Sequence, residues 1–179
     1  LIILIAVGFV GFQVLERYMP TKERADLAEV YGVSGDETAI LYNYERQEPT
    51  GIYENGQTYL PVSWINDHIN ERFYWDSTEN LLVYALPDQI VYADAETKGS
   101  NGAPLLVVKD DEVYLTLGLI ANYTDVQIQT FDSGDGKRVL INDWGTRNTA
   151  RVKKAGSLRV KGGVKSKGLT DLAKDDTVT

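Results

Sequence analysis

One segment of this chain occurs twice. The first copy runs from Asn55-Gly56-Gln57-Thr58-Tyr59-Leu60-Pro61-Val62 through Phe73-Tyr74-Trp75-Asp76-Ser77 to Leu82-Val83-Tyr84. The second runs from Asp110-Asp111-Glu112-Val113-Tyr114-Leu115-Thr116-Leu117 through Thr130-Phe131-Asp132-Ser133 to Val139-Leu140-Ile141. The offset is 55 residues at Tyr59/Tyr114, 56 at Asp76/Asp132 and 57 at Tyr84/Ile141, so two one-residue insertions in turns account for the drift. Repetition constrains the fold because one unit alone cannot bury its apolar face, whereas two can bury theirs against each other.

Each copy reads as strand, short helix, hairpin. Thr58-Tyr59-Leu60 and Val113-Tyr114-Leu115 are the strands. Val62, Ile65 and Ile69, and in the second copy Leu117, Ile120 and Thr124, recur at helical spacing. The hairpin turns are Asp76-Ser77-Thr78-Glu79-Asn80 and Asp132-Ser133-Gly134-Asp135-Gly136, each between β-branched and aromatic runs. The expected fold class is α+β. Upstream, Thr21 is expected to cap a short helix ending at Gly32, with Ala25, Ala28 and Tyr31 on one stripe; Glu37 to Tyr44 reads as a strand. Glu48-Pro49-Thr50-Gly51 reads as a turn, and Ile90-Val91-Tyr92 and Leu105-Leu106-Val107-Val108 as strands between the repeats.

At 179 residues with 43% hydrophobic side chains the chain can form a core. It has no Cys, which excludes disulfides, thiolate metal sites and a cysteine nucleophile. The net charge of −8 is uneven: from Thr146 onward nine Lys+Arg face three Asp+Glu, whereas residues 1–145 carry nine against 23. Such a break marks a module boundary. No nucleic acid partner is expected for the acidic part. The basic tail suits an anionic polymer such as cell-wall phosphates, or is simply a solvated strand face.

The chain opens on Leu1-Ile2-Ile3-Leu4-Ile5-Ala6-Val7-Gly8-Phe9-Val10-Gly11-Phe12. A bilayer span needs about 20 apolar residues, so this run reads as the end of a cut membrane anchor rather than a signal-peptide region or a core strand. The expected organisation is a truncated anchor over 1–18, a helical linker over 19–35, the repeat domain over 36–145 and a partial β-barrel over 146–179. The last segment, with Ser157-Leu158-Arg159-Val160-Lys161-Gly162-Gly163, has the short Gly-punctuated strands of a small barrel and is expected to be cut as well.

No catalytic constellation stands out. His68 is the sole histidine, and a triad or a metal site needs more partners than it has. Asp132-Ser133-Gly134-Asp135-Gly136 has calcium-loop residue types without the distal Glu, and Asp110-Asp111-Glu112 reads as a solvated turn. Gly162-Gly163 lacks the strand–loop–helix context of a phosphate loop. Trp75 aligns with Phe131 and Trp64 with Leu119, so both are expected in the core; Trp144, at the linker, is the aromatic expected to be exposed. Trp144, Arg159 and Lys161 are the candidate ligand contacts. No cofactor is expected.

The repeated unit, with Gly56-Gln57-Thr58-Tyr59-Leu60-Pro61 and Phe73-Tyr74-Trp75-Asp76, resembles the copper amine oxidase N-terminal-like domain across roughly Glu37 to Trp144. The second copy departs from it, with Thr116 in place of Pro61. The resemblance implies an extracellular module of Gram-positive bacteria and carries no metal ligand. The tail, through Ser157-Leu158-Arg159-Val160-Lys161, is similar to the start of bacterial Src-homology-3-like domains, with Arg159 where those often have Asn. This order resembles the front of Clostridia-type surface proteins, some of which end in a family 18 glycoside hydrolase barrel. It implies a non-catalytic stalk, tethered to the membrane through its N-terminal segment, facing outward and meeting cell-wall glycan or peptide. The alternative is the accessory half of a family 18 hydrolase acting on chitin-like or peptidoglycan glycans.

Overall fold

The computed structural model describes residues 11–145 and 149–178. The chain divides into one unit of residues 31–148 and a second made of residues 1–30 with 149–179.

The first unit is α+β. Its main sheet has seven strands in the order β7-β8-β3-β2-β1-β10-β9: β1 Glu37–Tyr42, β2 Glu45–Glu54, β3 Gln57–Pro61, β7 Leu106–Lys109, β8 Glu112–Thr116, β9 Val126–Phe131 and β10 Arg138–Asp143. A second sheet has the order β4-β5-β6, formed by Phe73–Asp76, Leu81–Ala85 and Ile90–Ala93. Both repeats follow the expected plan: β3, helix Val62–His68 and hairpin β4–β5, then β8, helix Leu117–Tyr123 and hairpin β9–β10.

The repeated unit is one strand longer than its sequence suggests. Asn55 and Gly56 have φ of 52° and 78°, and Asp110 and Asp111 have 51° and 63°, so each is a two-residue turn with both central residues left-handed. The turns join β2 to β3 and β7 to β8 at equivalent places, with Glu54 opposite Gln57 and Lys109 opposite Glu112. Asp110-Asp111 is therefore a hairpin turn rather than a paired-carboxylate site.

The repeats meet at β3 and β8, which run antiparallel with Tyr59 opposite Thr116, Leu60 opposite Leu115 and Pro61 opposite Tyr114. Leu60 and Leu115 are repeat equivalents, so the local pseudo-twofold axis passes between them. Around it lies one core containing Leu60, Val62, Trp64, Ile65 and Phe73 of the first copy and Val113, Leu115, Leu119, Ile120, Val139 and Ile141 of the second. Burying an aliphatic or aromatic side chain of this kind contributes about 1.5–3 kcal/mol each, so this shared core, and neither repeat alone, holds the unit together.

The copies differ where their residues differ. Thr116 caps its helix, its hydroxyl accepting from the Leu119 N–H at 3.2 Å. Pro61 has no side-chain acceptor, and a carboxylate oxygen of Glu112 in the other repeat accepts from the Ser63 N–H at 3.2 Å instead. The first hairpin leaves the main sheet and takes β6 as its third strand; the second stays in the main sheet because β10 also pairs in parallel with β1, Ile40 opposite Val139 and Tyr42 opposite Ile141.

Two expectations upstream need correction. Glu48-Pro49-Thr50-Gly51 is no turn: it lies inside β2, where the register with β1 slips from Thr38/Gly51 to Ile40/Gln47. The bulge tolerates a residue without an N–H. Thr21 does not cap a helix; the helix begins at Leu27, with a carboxylate oxygen of Asp26 accepting from the Ala28 N–H at 2.8 Å. Gly32, at φ 62°, ends it as expected.

In the second unit, residues 21–25 run extended because their backbone finds partners in the tail. The Thr21 N–H donates to the Val164 carbonyl and the Ala25 N–H to that of Gly168, whose own N–H donates to the Glu23 carbonyl, all at 2.8 Å. The tail strands are β11 Ala150–Arg151, β12 Gly156–Arg159, β13 Gly168–Leu172 and β14 Thr177–Val178. They pair only as β11–β14 and β12–β13, so the expected barrel is not closed among the described residues. The anchor helix is likewise unsupported. Residues 11–18 are helical but include Gln13, Glu16 and Arg17, and no helix among the described residues is long and apolar enough to cross a membrane. The rest of that expected segment, residues 1–10, lies outside the described residues.

Candidate functional site

In the repeat unit the chemistry-bearing residues are absorbed into structure. His68 ends the first-repeat helix and stacks on Trp64, with ring centroids 5.0 Å apart and planes 13° from parallel. Its Nδ1 lies 3.0 Å from the Trp64 carbonyl oxygen. It is therefore a helix-terminal packing residue: Tyr42 meets it edge-on at 6.1 Å, and among the described residues no hydrogen bond joins it to a carboxylate or a hydroxyl as a triad requires. Trp64 is buried and Trp75 packs against the core, as the repeat alignment implies. The Asp132–Gly136 segment forms the β9–β10 loop, with Gly134 and Gly136 at φ 76° and 69°. Among the described residues no group of three or more His, Cys, Asp or Glu is placed to hold a metal ion.

The polar networks near the core serve the fold. The Tyr42 hydroxyl donates to Asp143 Oδ1 at 2.8 Å, and Asn43 Nδ2 donates to Asp143 Oδ2 at 2.9 Å. Burial, with the hydrogen bond to Asp143 and its charge, pushes the Tyr42 phenol above its ordinary value. Burial, with the charges of Glu112 and Asp110, raises Tyr114 in the same way. Phe73, Tyr84 and Tyr123 pack in series as tilted rings with centroids 4.6 Å apart, and Asn70 Nδ2 donates to both the Tyr84 hydroxyl and the Tyr123 carbonyl. A phenol made harder to ionise and already hydrogen-bonded is a structural group rather than a nucleophile.

The three expected ligand contacts are divided between the two units. Trp144 follows the end of β10 and is 71% exposed. Arg159 and Lys161 lie in the tail unit and play different parts. The Arg159 guanidinium donates to the carbonyls of Ser166 and Thr21, tying the extended segment to the tail turn. Lys161 is exposed and lines a hollow of about 430 Å³ with Lys165, Lys167, Ser166 and Val160. Asp26 and Glu29 also line it. A neighbouring hollow of about 410 Å³ is lined by Arg24, Arg159, Ser157 and Asp171. Arg24 is paired with Asp171 there, and the hydrogen bonds from Ser157 and then from Arg24 hold that carboxyl below its usual range.

Lys165 and Lys167 were not singled out by sequence reasoning. Their signal is the Lys165-Ser166-Lys167 alternation after Gly162-Gly163, which only the turn brings back against Lys161: the Lys161 N–H donates to Ser166 Oγ at 2.9 Å. Lys165 Nζ also donates to the Glu16 carbonyl, a neutral acceptor that leaves its charge in place. The three lysine charges can attract an anion, and the carboxylates of Asp26 and Glu29 on the same lining offset part of that charge. Comparison with protein-family models, curated proteins and solved structures finds no match to this chain.

Proposed function

We propose that this chain is a non-catalytic binding and positioning region of a bacterial cell-envelope protein. The duplicated unit is a rigid spacer, and the basic tail engages an anionic polymer of the wall. The observation that carries this reading is the gathering of Lys161, Lys165 and Lys167 around one hollow in the tail unit. In the repeat unit, by contrast, the histidine and the acidic triplet are committed to packing and to a turn. The binding energy of such a surface is electrostatic and screened by salt. Its product is confinement: whatever the tether holds near the wall acts there at a raised effective concentration. Membrane attachment through the N-terminal segment and an outward-facing location belong to the same proposal.

The test is co-sedimentation of the purified chain with bacterial wall fragments, before and after their phosphate polymers are stripped. The proposal expects retention that falls when the phosphates are removed. Equal retention by both preparations, or by neither, overturns it. A second reading, the accessory half of a glycan hydrolase, rests on the exposed ring of Trp144 as a stacking surface. It predicts retention on phosphate-free glycan that Trp144→Ala abolishes.

A further inference from the structure

β9 is the last strand of the seven-stranded sheet, so one of its edges faces away from β10. A strand sends the N–H and C=O of alternate residues to opposite sides. The outward set on β9 has no backbone partner among the described residues beyond the strand pairing to β10. Proteins normally blunt such an edge with a Lys, a Pro, a bulge or brevity. The other end of the sheet does so, since β7 is four residues long and closes on Lys109. β9 has none of these devices: its six residues are Val126, Gln127, Ile128, Gln129, Thr130 and Phe131, and its register with β10 is unbroken from Val126 to Phe131.

A further observation concerns the outer face of this edge. Gln127 stands directly opposite Asn142 on β10, and the side-chain oxygens of both are buried without a hydrogen-bond partner. They border a hollow of about 280 Å³ that Gln129 and Leu140 also line. A buried amide oxygen without a donor is costly, and the outward backbone groups of β9 stand unpaired beside it.

We propose that two copies of this chain join through β9, antiparallel about a twofold axis at Ile128, into one continuous sheet. In that register Ile128 faces its own counterpart, Val126 faces Thr130, and Gln127 faces Gln129. Directly opposed residues share a face of the sheet and point their backbone groups the same way, so donors meet acceptors along the whole strand. The apolar positions stay on the core side, where Val126 and Ile128 already pack. On the outer side the Gln127 and Gln129 amides of the two copies face each other across the axis. The flanking acids do not collide, because Asp125 falls opposite Phe131 and Asp132 opposite Thr124. An uncharged strand that complements itself is fitted to a second copy rather than to a charged foreign peptide. This inference is independent of the wall-binding reading, which rests on the other unit.

The experiment is sedimentation equilibrium of the full chain in mild non-ionic detergent, which keeps the apolar N-terminal run from driving association. The proposal expects the mass to rise with concentration from 19.9 kDa to twice that value. Q127K/Q129K opposes like charges across the axis and should weaken the dimer at least about ten-fold, whereas Q127K/Q129E opposes unlike charges and should return it to within about three-fold of the parent. The chain has no Cys, so a second readout needs no background correction. Gln127→Cys protein mixed with Gln129→Cys protein should form disulfide-linked dimers faster than either alone. A chain that stays monomeric throughout, a dimer indifferent to both charge pairs, or cross-linking without the mixed preference overturns the proposal.

Discussion

Gly51→Ala is expected to destabilise the repeat unit, and the reason is specific. Gly51 lies in β2 opposite Thr38, and a Cβ there would stand 2.7 Å from the Tyr59 carbonyl oxygen and 3.0 Å from Leu60 Cδ2. Neither neighbour can yield cheaply. Tyr59 and Leu60 are wholly buried in β3, which is held between β2 and β8, and the Tyr59 hydroxyl is fixed to Gln57 and the Pro104 carbonyl. Overpacking of this kind costs about 1–3 kcal/mol. The same change at Gly118 meets open space, inside a helix and at ordinary φ, so Gly118→Ala should stabilise by up to about 1 kcal/mol. Urea unfolding followed by tryptophan emission reads both variants. With a slope of about 1.5–2 kcal/mol/M, the midpoint of Gly51→Ala should fall by roughly 0.5–2 M and that of Gly118→Ala should rise slightly. A Gly51→Ala midpoint at or above the parent's would refute the claim that β3 is immovable at the repeat junction.

Further outcomes follow from the same contacts. Thr116→Ala removes the helix cap at Leu119 and should cost about 1 kcal/mol by the same unfolding assay, with Thr116→Ser recovering most of it. Trp64→Ala should cost about 3–5 kcal/mol, and Trp144→Ala, at an exposed ring, less than about 0.5 kcal/mol; thermal melts separate them. The folded Tyr42 phenol titrates above its unfolded value of about 10, so its contribution is complete below that pH and is lost as pH rises through the folded value. Tyr42→Phe should therefore trail the parent most below pH 10 and approach it above, in unfolding measured across that range; a gap independent of pH would contradict the assignment.

The parts legible in the sequence are those that recur or that local chemistry dictates. Asn55-Gly56 and Asp110-Asp111 announce tight turns, and the Tyr59/Tyr114 offset announces the duplication, because both are written in neighbouring residues. The parallel joining of β1 to β10 was not legible, since nothing within Ala39–Tyr42 names residues 138–141 as its neighbours. Pro49 misled for a related reason: a proline signals a turn until a bulge supplies another place for it. Residues 21–25 look helical alone and are drawn extended by the tail carbonyls. At the candidate site the basic tail was visible as a charge break, and Lys161 with it. The roles of Arg159 as a backbone tie and of Lys165 and Lys167 as neighbours of Lys161 needed the turn itself.

The proposed role of the tail is that its lysines hold an anionic wall polymer. The most direct measurement is retention on purified wall fragments across a salt series, for the parent and for K161E/K165E/K167E. The claim predicts that parent retention falls steeply with salt and that the variant is released at the lowest salt, with unchanged circular dichroism. Retention that ignores both salt and the triple reversal would contradict it.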